Sequence, residues 1–327
     1  MAQQYFDIGV TTYHTQTLAA RQSNTLSAVQ EVQEAQQPQV PIILIHAFPI
    51  DHRMWDKAAE RLIAHFDDDA NTLHIAARDI YAFEMPGAGE TPIPTAEQTG
   101  EVAEDGAYTQ AMDRMAESFV AKLHELGYSQ AIWVGISMGG YAVLAIHRLF
   151  PEAVQGLVLC DTKASADLGQ ARANRLRIAQ ICETEHTTDP VMHFVEVQPH
   201  DSEIKRSPEF IEQFTSWIRS QNPLGIAWRQ RMAAGRTDET PYLSRMDVPV
   251  GIICGDRDPS SPPEAMAQLA DQIEQSTLVE PPSVVFTVIY HAGHFSCVEQ
   301  PQVFADALYR FIARVDGVHI EDIDIHE

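Results

Sequence analysis

Apolar residues in this chain recur in two rhythms. Short unbroken runs at Pro41–Ile45, Ala131–Val134, Gly156–Cys160, Val248–Cys254 and Val284–Tyr290 are too short for helices and predict buried strands, with Asp79–Glu84 as a further strand. Between them, Asp51–Phe66 (carrying Met54, Trp55, Leu62 and Ile63), Ala111–Leu126, Pro263–Ile273 and Pro301–Val315 space their apolar residues along one helix face. At the start, Tyr5–Val10 and Thr12–Leu18 read as a strand pair joined at Gly9.

Other stretches break the alternation. Arg21–Gln39 is polar and rich in Gln, and reads as a solvated insertion even though Leu26, Val29 and Val32 are spaced by three. Asp67-Asp68-Asp69 reads as a solvated acidic turn, because the alternating ligands and distal Glu of a calcium loop are missing. Thr91–Tyr108, with Glu97, Glu101, Glu104 and Asp105, reads as an irregular acidic insertion at the carboxyl end of a strand, where site loops gather. From Thr162 to Met246 no strand run occurs, only helical patterns at Leu168–Cys182, Val191–Val197, Pro208–Ser220 and Leu224–Ala234. Gly317–Glu327 reads as a frayed acidic tail.

The densest signal is Ala131–Phe150, where an apolar run passes through small residues into helical spacing: strand, tight turn, helix. Ser137 stands at the turn, with Gly135 and Gly139 two residues away on each side. Small neighbours let a strand bend straight into a helix with the serine at its tip, beside unpaired backbone N–H groups. This Gly-x-Ser-x-Gly elbow resembles that of the α/β-hydrolase family, and the resemblance extends from about Tyr5 to Val315. It implies a mostly parallel eight-stranded sheet with helices on both faces and an inserted helical cap. Residues 1–161 and 247–315 would then form the core, 162–246 the cap and 316–327 the tail.

The remaining parts follow from the same resemblance. In the family a His-Gly-x-Pro segment ends the third strand, and the N–H of x is half of an oxyanion hole. Here the segment is His46-Ala47-Phe48-Pro49, so Phe48 takes that place and Met138, after the serine, supplies the second N–H. Ala47 in place of Gly narrows the backbone angles, and His46 reads as a structural histidine that pins the loop. Pro86-Gly87-Ala88-Gly89 matches the turn after the fourth strand. A serine needs a base as it attacks, and a neutral imidazole suits that work. His294, in Gly293-His294-Phe295, is the expected base and His291 its competitor; Asp258, in Gly255-x-x-Asp258, is the expected acid and Asp256 its alternative. The order Ser137, Asp258, His294 is the one this fold requires.

Composition narrows the partners. Forty-six acidic against 22 basic side chains, a formal charge of −24, repel nucleic acid and anionic membranes. Within 162–246 the two signs balance at 11 each, so the excess lies in the core and tails. No basic segment precedes an N-terminal apolar run and no stretch approaches the ~18 apolar residues of a membrane span, so a cytoplasmic protein is expected. Cys160, Cys182, Cys254 and Cys297 are far apart, which indicates neither a disulfide framework nor a zinc site. The pair His291 and His294 lacks a carboxylate at ligand spacing, and His319 and His326 lack compact spacing, so no metal is expected, nor any organic cofactor.

The expected function is therefore a serine carboxylesterase working through an acyl-enzyme on a small-molecule ester. Met192, Phe194, Phe210, Phe214, Trp217, Trp228 and Met232 in the cap point to small or medium uncharged acyl or aromatic esters, hydroxycinnamate-type among them. The same spacing is also that of a packing face. Lactone hydrolysis, carbon–carbon bond hydrolysis, hydroxynitrile cleavage and perhydrolysis are alternatives on the same fold, and a non-catalytic ligand-binding protein is the alternative outside enzymes. Oligomeric state is left open by the sequence.

Overall fold

A computed structural model describes residues 5–14, 39–67, 73, 75–275 and 284–318. Residues 21–38 of the Gln-rich stretch, 68–69 of the acidic turn and 319–327 of the tail lie outside them. The first half of the chain forms β1 (Val10–Tyr13), β2 (Ile42–Ile45), α1 (Asp56–Asp67), β3 (Ile80–Phe83), α2 (Ala96–Thr99) and α3 (Ala111–Glu125). Then come β4 (Ala131–Ile136), α4 (Met138–Leu149), β5 (Val154–Cys160), α5 (Gly169–Glu185), α6 (Pro208–Arg219) and α7 (Pro223–Gly235). The chain closes with β6 (Val250–Gly255), α8 (Pro263–Glu274), β7 (Val284–Ile289), α9 (Ser296–Glu299) and α10 (Pro301–Val315).

The strands form one sheet in the order β1-β3-β2-β4-β5-β6-β7, parallel throughout except for β1 on β3. Ile42 to Ile45 are all buried, as is every residue of β4, because crossover helices cover both faces of a parallel sheet. Each such aliphatic side chain contributes roughly 1.5–3 kcal/mol by leaving water.

Seven strands are present among the described residues, where eight were expected. The difference lies at the start, where the expected hairpin is a single strand. Phe6 is buried, donates its backbone N–H to Ser118 Oγ (2.9 Å) and meets Trp228 edge-on at 5.6 Å. Side-chain anchorage on α3 and α7, not a ladder, therefore fixes Tyr5 to Ile8, and pairing with β3 begins only at the Gly9 carbonyl. Residues 15–18, the end of the second expected strand, lie outside the described residues.

Between β5 and β6, residues 161–249 contain α5, α6, α7 and two 3-10 turns, Asp189–Val195 and Thr240–Arg245, with no strand. The helix expected at Val191–Val197 is the first of these turns. Ser207 caps α6 by accepting the Phe210 N–H at 3.2 Å, and Pro208 opens the helix where no N–H is needed. α7 is buried along most of its length, with Ile226, Trp228, Arg229 and Met232 inaccessible or nearly so and Leu224 exposed at its start. The acidic insertion is less irregular than its sequence reads. It folds α2 behind a Thr95–Gln98 capping box, and Thr99 Oγ1 accepts the Trp228 indole N–H at 2.9 Å.

The parallel strands aim their carboxyl ends at one edge of the sheet, so the loops carrying Phe48, Ser137, Lys163, Asp258 and His294 converge there. All four cysteines are buried and unpaired. Among the described residues no helix is long and apolar enough to cross a membrane.

Candidate active site

Ser137 follows β4 directly and caps the start of α4 with φ 54°, a left-handed conformation that costs a non-glycine residue about 1–3 kcal/mol. Three hydrogen bonds hold it there. Its N–H donates to Cys160 O at 2.9 Å, and its carbonyl accepts from Gly140 N–H at 3.0 Å and Thr162 Oγ at 2.7 Å. The flanking glycines are required by contact: a Cβ on Gly135 would lie 2.3 Å from Gly139 O, and one on Gly139 2.2 Å from Ile45 O.

Ser137 Oγ lies 2.9 Å from His294 Nε2, and His294 Nδ1 lies 2.8 Å from Asp258 Oδ2. Asp258 is buried, and its other oxygen accepts the Ser260 N–H at 2.8 Å. With Nδ1–H donating to the carboxylate, Nε2 is free to accept from the serine hydroxyl. Burial acts to lower the His294 pKa, but the charge and hydrogen bond of Asp258 outweigh it, with Asp161 and Glu299 adding to the net upward shift.

Two carboxyl groups that no sequence motif marks hold this arrangement. Glu299 accepts the N–H groups of Gly293 (2.8 Å) and Phe295 (3.3 Å) on either side of His294, and a hydrogen bond from Ser202 Oγ in the insertion. Burial raises its pKa against those bonds. Asp161, just past β5, accepts from the Gly255 N–H at 2.9 Å and from Ser296 Oγ, so it ties the ends of β5 and β6 to the histidine loop. Burial pushes its pKa well up, and the charge of Asp258 pushes it further. Its only sequence signal is an acid directly after a buried strand.

The competing residues go elsewhere. His291 is exposed, with Arg257 Nη2 3.1 Å from its Nδ1, and Asp256 accepts the Ala292 N–H at 3.1 Å within the turn. His46 is fully buried; its Nδ1–H donates to Ala47 O and its Nε2 accepts from the Met85 N–H, both at 3.0 Å. Burial lowers its pKa and keeps it neutral, and it ties the end of β2 to the end of β3. Phe48 and Met138 line the cavity that holds Ser137 and His294, and Met138 is the first residue of α4, where backbone N–H groups have no partner in the helix. From α7, fully buried Arg229 donates to Ile50 O (2.9 Å) and Pro49 O (3.4 Å) and lies 5.5 Å from the centre of the Phe48 ring. Burial lowers the Arg229 pKa to about 10.

The cavity has a volume of about 230 Å³ and is lined by Tyr141, Asp161, Lys163, Arg175, Phe194, Ser260 and Ser261 besides the residues already named. This corrects the expected apolar wall: of the seven cap side chains singled out above, only Phe194 lines it. Phe210, Phe214 and Met232 are buried instead, with Phe214 packed 4.5 Å from Phe295 on the core. Apolar residues at helical spacing pack the insertion down, and loop and helix-start residues at its root face the cavity.

Among the described residues one acid–histidine cluster, Asp51, His52 and Glu84, brings possible metal ligands within 4.8 Å of one another. All but one of its oxygens are engaged, the exception being the buried Glu84 Oε2. Asp51 accepts from Arg53 (2.8 Å to Nε) and Gln221 (2.7 Å), and Glu84 Oε1 accepts the His52 N–H at 2.7 Å.

A family model described as alpha/beta hydrolase fold matches residues 40–301. The chain is 29% identical over 269 residues to 3-oxoadipate enol-lactonase 2 of Acinetobacter baylyi, covering 80% of this chain and 84% of the relative. It is 23% identical over 236 residues to a poly(3-hydroxyalkanoate) depolymerase of Ectopseudomonas oleovorans, covering 72% of this chain and 75% of that one. Among solved structures, a thermophilic esterase from Thermogutta terrifontis with malate bound has a TM-score of 0.71 at 24% identity, over 95% of this chain and 94% of that one, a likeness of fold.

Proposed function

The chain belongs to the alpha/beta hydrolase fold family, and from that premise we propose that it is a serine hydrolase of carboxylic esters, with Ser137 as nucleophile, His294 as general base and Asp258 as the acid that orients it. The observation that carries this reading is the continuous relay, 2.9 Å from Ser137 Oγ to His294 Nε2 and 2.8 Å from Nδ1 to Asp258, opening into a cavity.

Ser137 Oγ attacks the ester carbonyl as His294 takes its proton, and the N–H groups of Phe48 and Met138 stabilise the oxyanion. Asp258 stabilises the imidazolium, which then protonates the leaving alcohol. Water, deprotonated by the same histidine, attacks the acyl-enzyme and releases the acid. At about 230 Å³ the cavity is smaller than the roughly 300–1,000 Å³ of pockets for drug-sized ligands, which favours small and medium acyl groups over long chains.

A second reading, lactone hydrolysis, uses the same groups, with the leaving alcohol still tethered to the acyl chain. It is favoured by the relative named as an enol-lactonase, which the chain covers over 84% of its length. Comparing kcat/KM for a butyrolactone with that for ethyl butyrate separates the two.

The test of the shared mechanism is a set of Ser137→Ala, His294→Ala and double variants on nitrophenyl acetate. Each single variant is expected to lose on the order of 10³-fold or more, and the double little beyond that, because the two act as one unit. A fluorophosphonate should label Ser137 alone. Near-normal turnover by a natively folded Ser137→Ala protein, or labelling at another residue, overturns the mechanism.

A further inference from the structure

The polar wall of the cavity carries charge that the hydrolytic chemistry does not use. Lys163 and Arg175 both line it, Lys163 just past β5 and Arg175 in the second turn of α5. Both contact one carboxylate, Asp167: Lys163 Nζ is 2.6 Å from Oδ1, and Arg175 Nε bonds Oδ2. Asp167 is already engaged from behind by the buried Arg236, whose Nη1 lies 2.8 Å from the same Oδ2. Three cations thus share one anion, so the group carries a surplus of positive charge, and two of its three cations face the cavity.

Nearby acids do not restore the balance. Asp161 turns its oxygens to the Gly255 N–H and Ser296. Glu239, which borders a neighbouring pocket with Lys163 and Arg236, is paired with Arg148, as is Asp113. Arg175 is further fixed by Gln230, whose Oε1 accepts from Nη1 at 2.9 Å, and by a hydrogen bond with Tyr141 on the same cavity wall, so its guanidinium plane is held in a set direction. In a protein of formal charge −24, a cation pair held at the cavity that contains the nucleophile is a recognition feature for an anion.

We infer that Lys163 and Arg175 form a carboxylate-binding subsite, so that the preferred ester or lactone carries a carboxylate remote from its scissile carbonyl. This rests on the hydrolase reading above and replaces the uncharged substrate expected from the cap's composition. The cap is neutral in sum, but its root delivers Lys163, Arg175 and Arg236 to one place.

The experiment compares carboxylates with their carboxamide isosteres: the nitrophenyl ester of glutarate against that of glutaramate, and the butyrate ester of hydroxybenzoate against that of hydroxybenzamide. In at least one pair the unmodified protein is expected to favour the carboxylate by tenfold or more in kcat/KM, through KM. That ratio should fall at least tenfold in Lys163→Met and in Arg175→Met. The Lys163 side chain is 42% exposed, so its replacement leaves no cavity in the core. Should Arg175→Met fail to fold, inhibition of the unmodified protein by glutarate but not glutaramide reads the same subsite. Preference for both carboxamide esters, or a ratio that survives both substitutions, overturns the subsite and leaves the hydrolase reading standing. Turnover of none of the four esters overturns the hydrolase reading itself.

Discussion

At the scale of single residues, His294, as the proposed general base, is expected to set the pH response. Burial alone would depress its pKa, yet the carboxylate of Asp258 raises the net value above the ordinary 6.5. General-base work needs the neutral ring, so activity is lost as pH falls through this raised pKa and gained as pH rises through it. The rising limb of kcat/KM should therefore have its inflection above 6.5. Replacing Asp258 with Asn removes the largest of the charges that raise the pKa and leaves burial opposed only by Asp161 and Glu299, so the inflection should move down while kcat drops by roughly 10²–10⁴-fold. An inflection that stays or climbs in Asp258→Asn would remove Asp258 from this role. The residues that meet at the site differ in how far the sequence announces them. Ser137, Asp258 and His294 each stand in a local pattern of glycines, and that pattern can be read without knowing the fold. Asp161 and Glu299 have none: Gly255 lies 94 residues from Asp161, and although Glu299 is only six and four residues from Gly293 and Phe295, no local pattern marks the turn that brings it back onto them, and its third partner, Ser202, is 97 residues away. Lys163 and Arg175 are equally silent, since their meaning depends on a cavity that exists only after the insertion has docked.

Among the elements, α7 joins the insertion to the sheet edge that carries the candidate site. It can approach because neither partner has a side chain at the contact: a Cβ on Gly225 would lie 2.0 Å from the Gly87 carbonyl oxygen. One turn later Arg229 grips the carbonyls of Pro49 and Ile50, beside Phe48. Gly225→Ala must push the helix outward and draw Arg229 away from that loop. The expected result is a stability loss of about 1–3 kcal/mol by denaturant titration, with kcat reduced more than KM is raised, because the Phe48 N–H is proposed to act on the transition state. Unchanged stability and unchanged kcat would mean that α7 does not position the loop. Element type was legible where periodicity was long and its start was marked, as in α10, which opens on a proline and whose bounds Pro301–Val315 are those its pattern predicts. It was misread where tertiary contacts replace a ladder, as at Tyr5–Gly9. It was misread again at Asp189–Val195, where a short apolar spacing winds as a 3-10 turn that presents Phe194 to the cavity.

For the molecule as a whole, the governing quantity is the imbalance of 46 acids against 22 basic side chains. Cations cannot pair with most of those acids, so many surface carboxylates face one another across water. The exposed ion pairs that do form, such as Arg219 with Asp189, are of the kind worth about 0–1 kcal/mol. The better-shielded ones, such as Arg236 with Asp167, are buried at the root of the insertion and little affected by salt. Added salt therefore weakens repulsion more than attraction. The screening length falls from about 30 Å at 0.01 M to about 3 Å at 1 M, short enough to isolate neighbouring carboxylates. The folded state, which crowds these charges, should gain relative to the unfolded chain, which spreads them. Melting followed by circular dichroism in sodium chloride, chosen over sulfate to avoid a general salting-out contribution, should show Tm rising by roughly 2–6 °C between those concentrations, the equivalent of 1–2 kcal/mol. A Tm that falls as sodium chloride is added would mean that attractive surface pairs, not the net charge of −24, dominate the electrostatics of the fold.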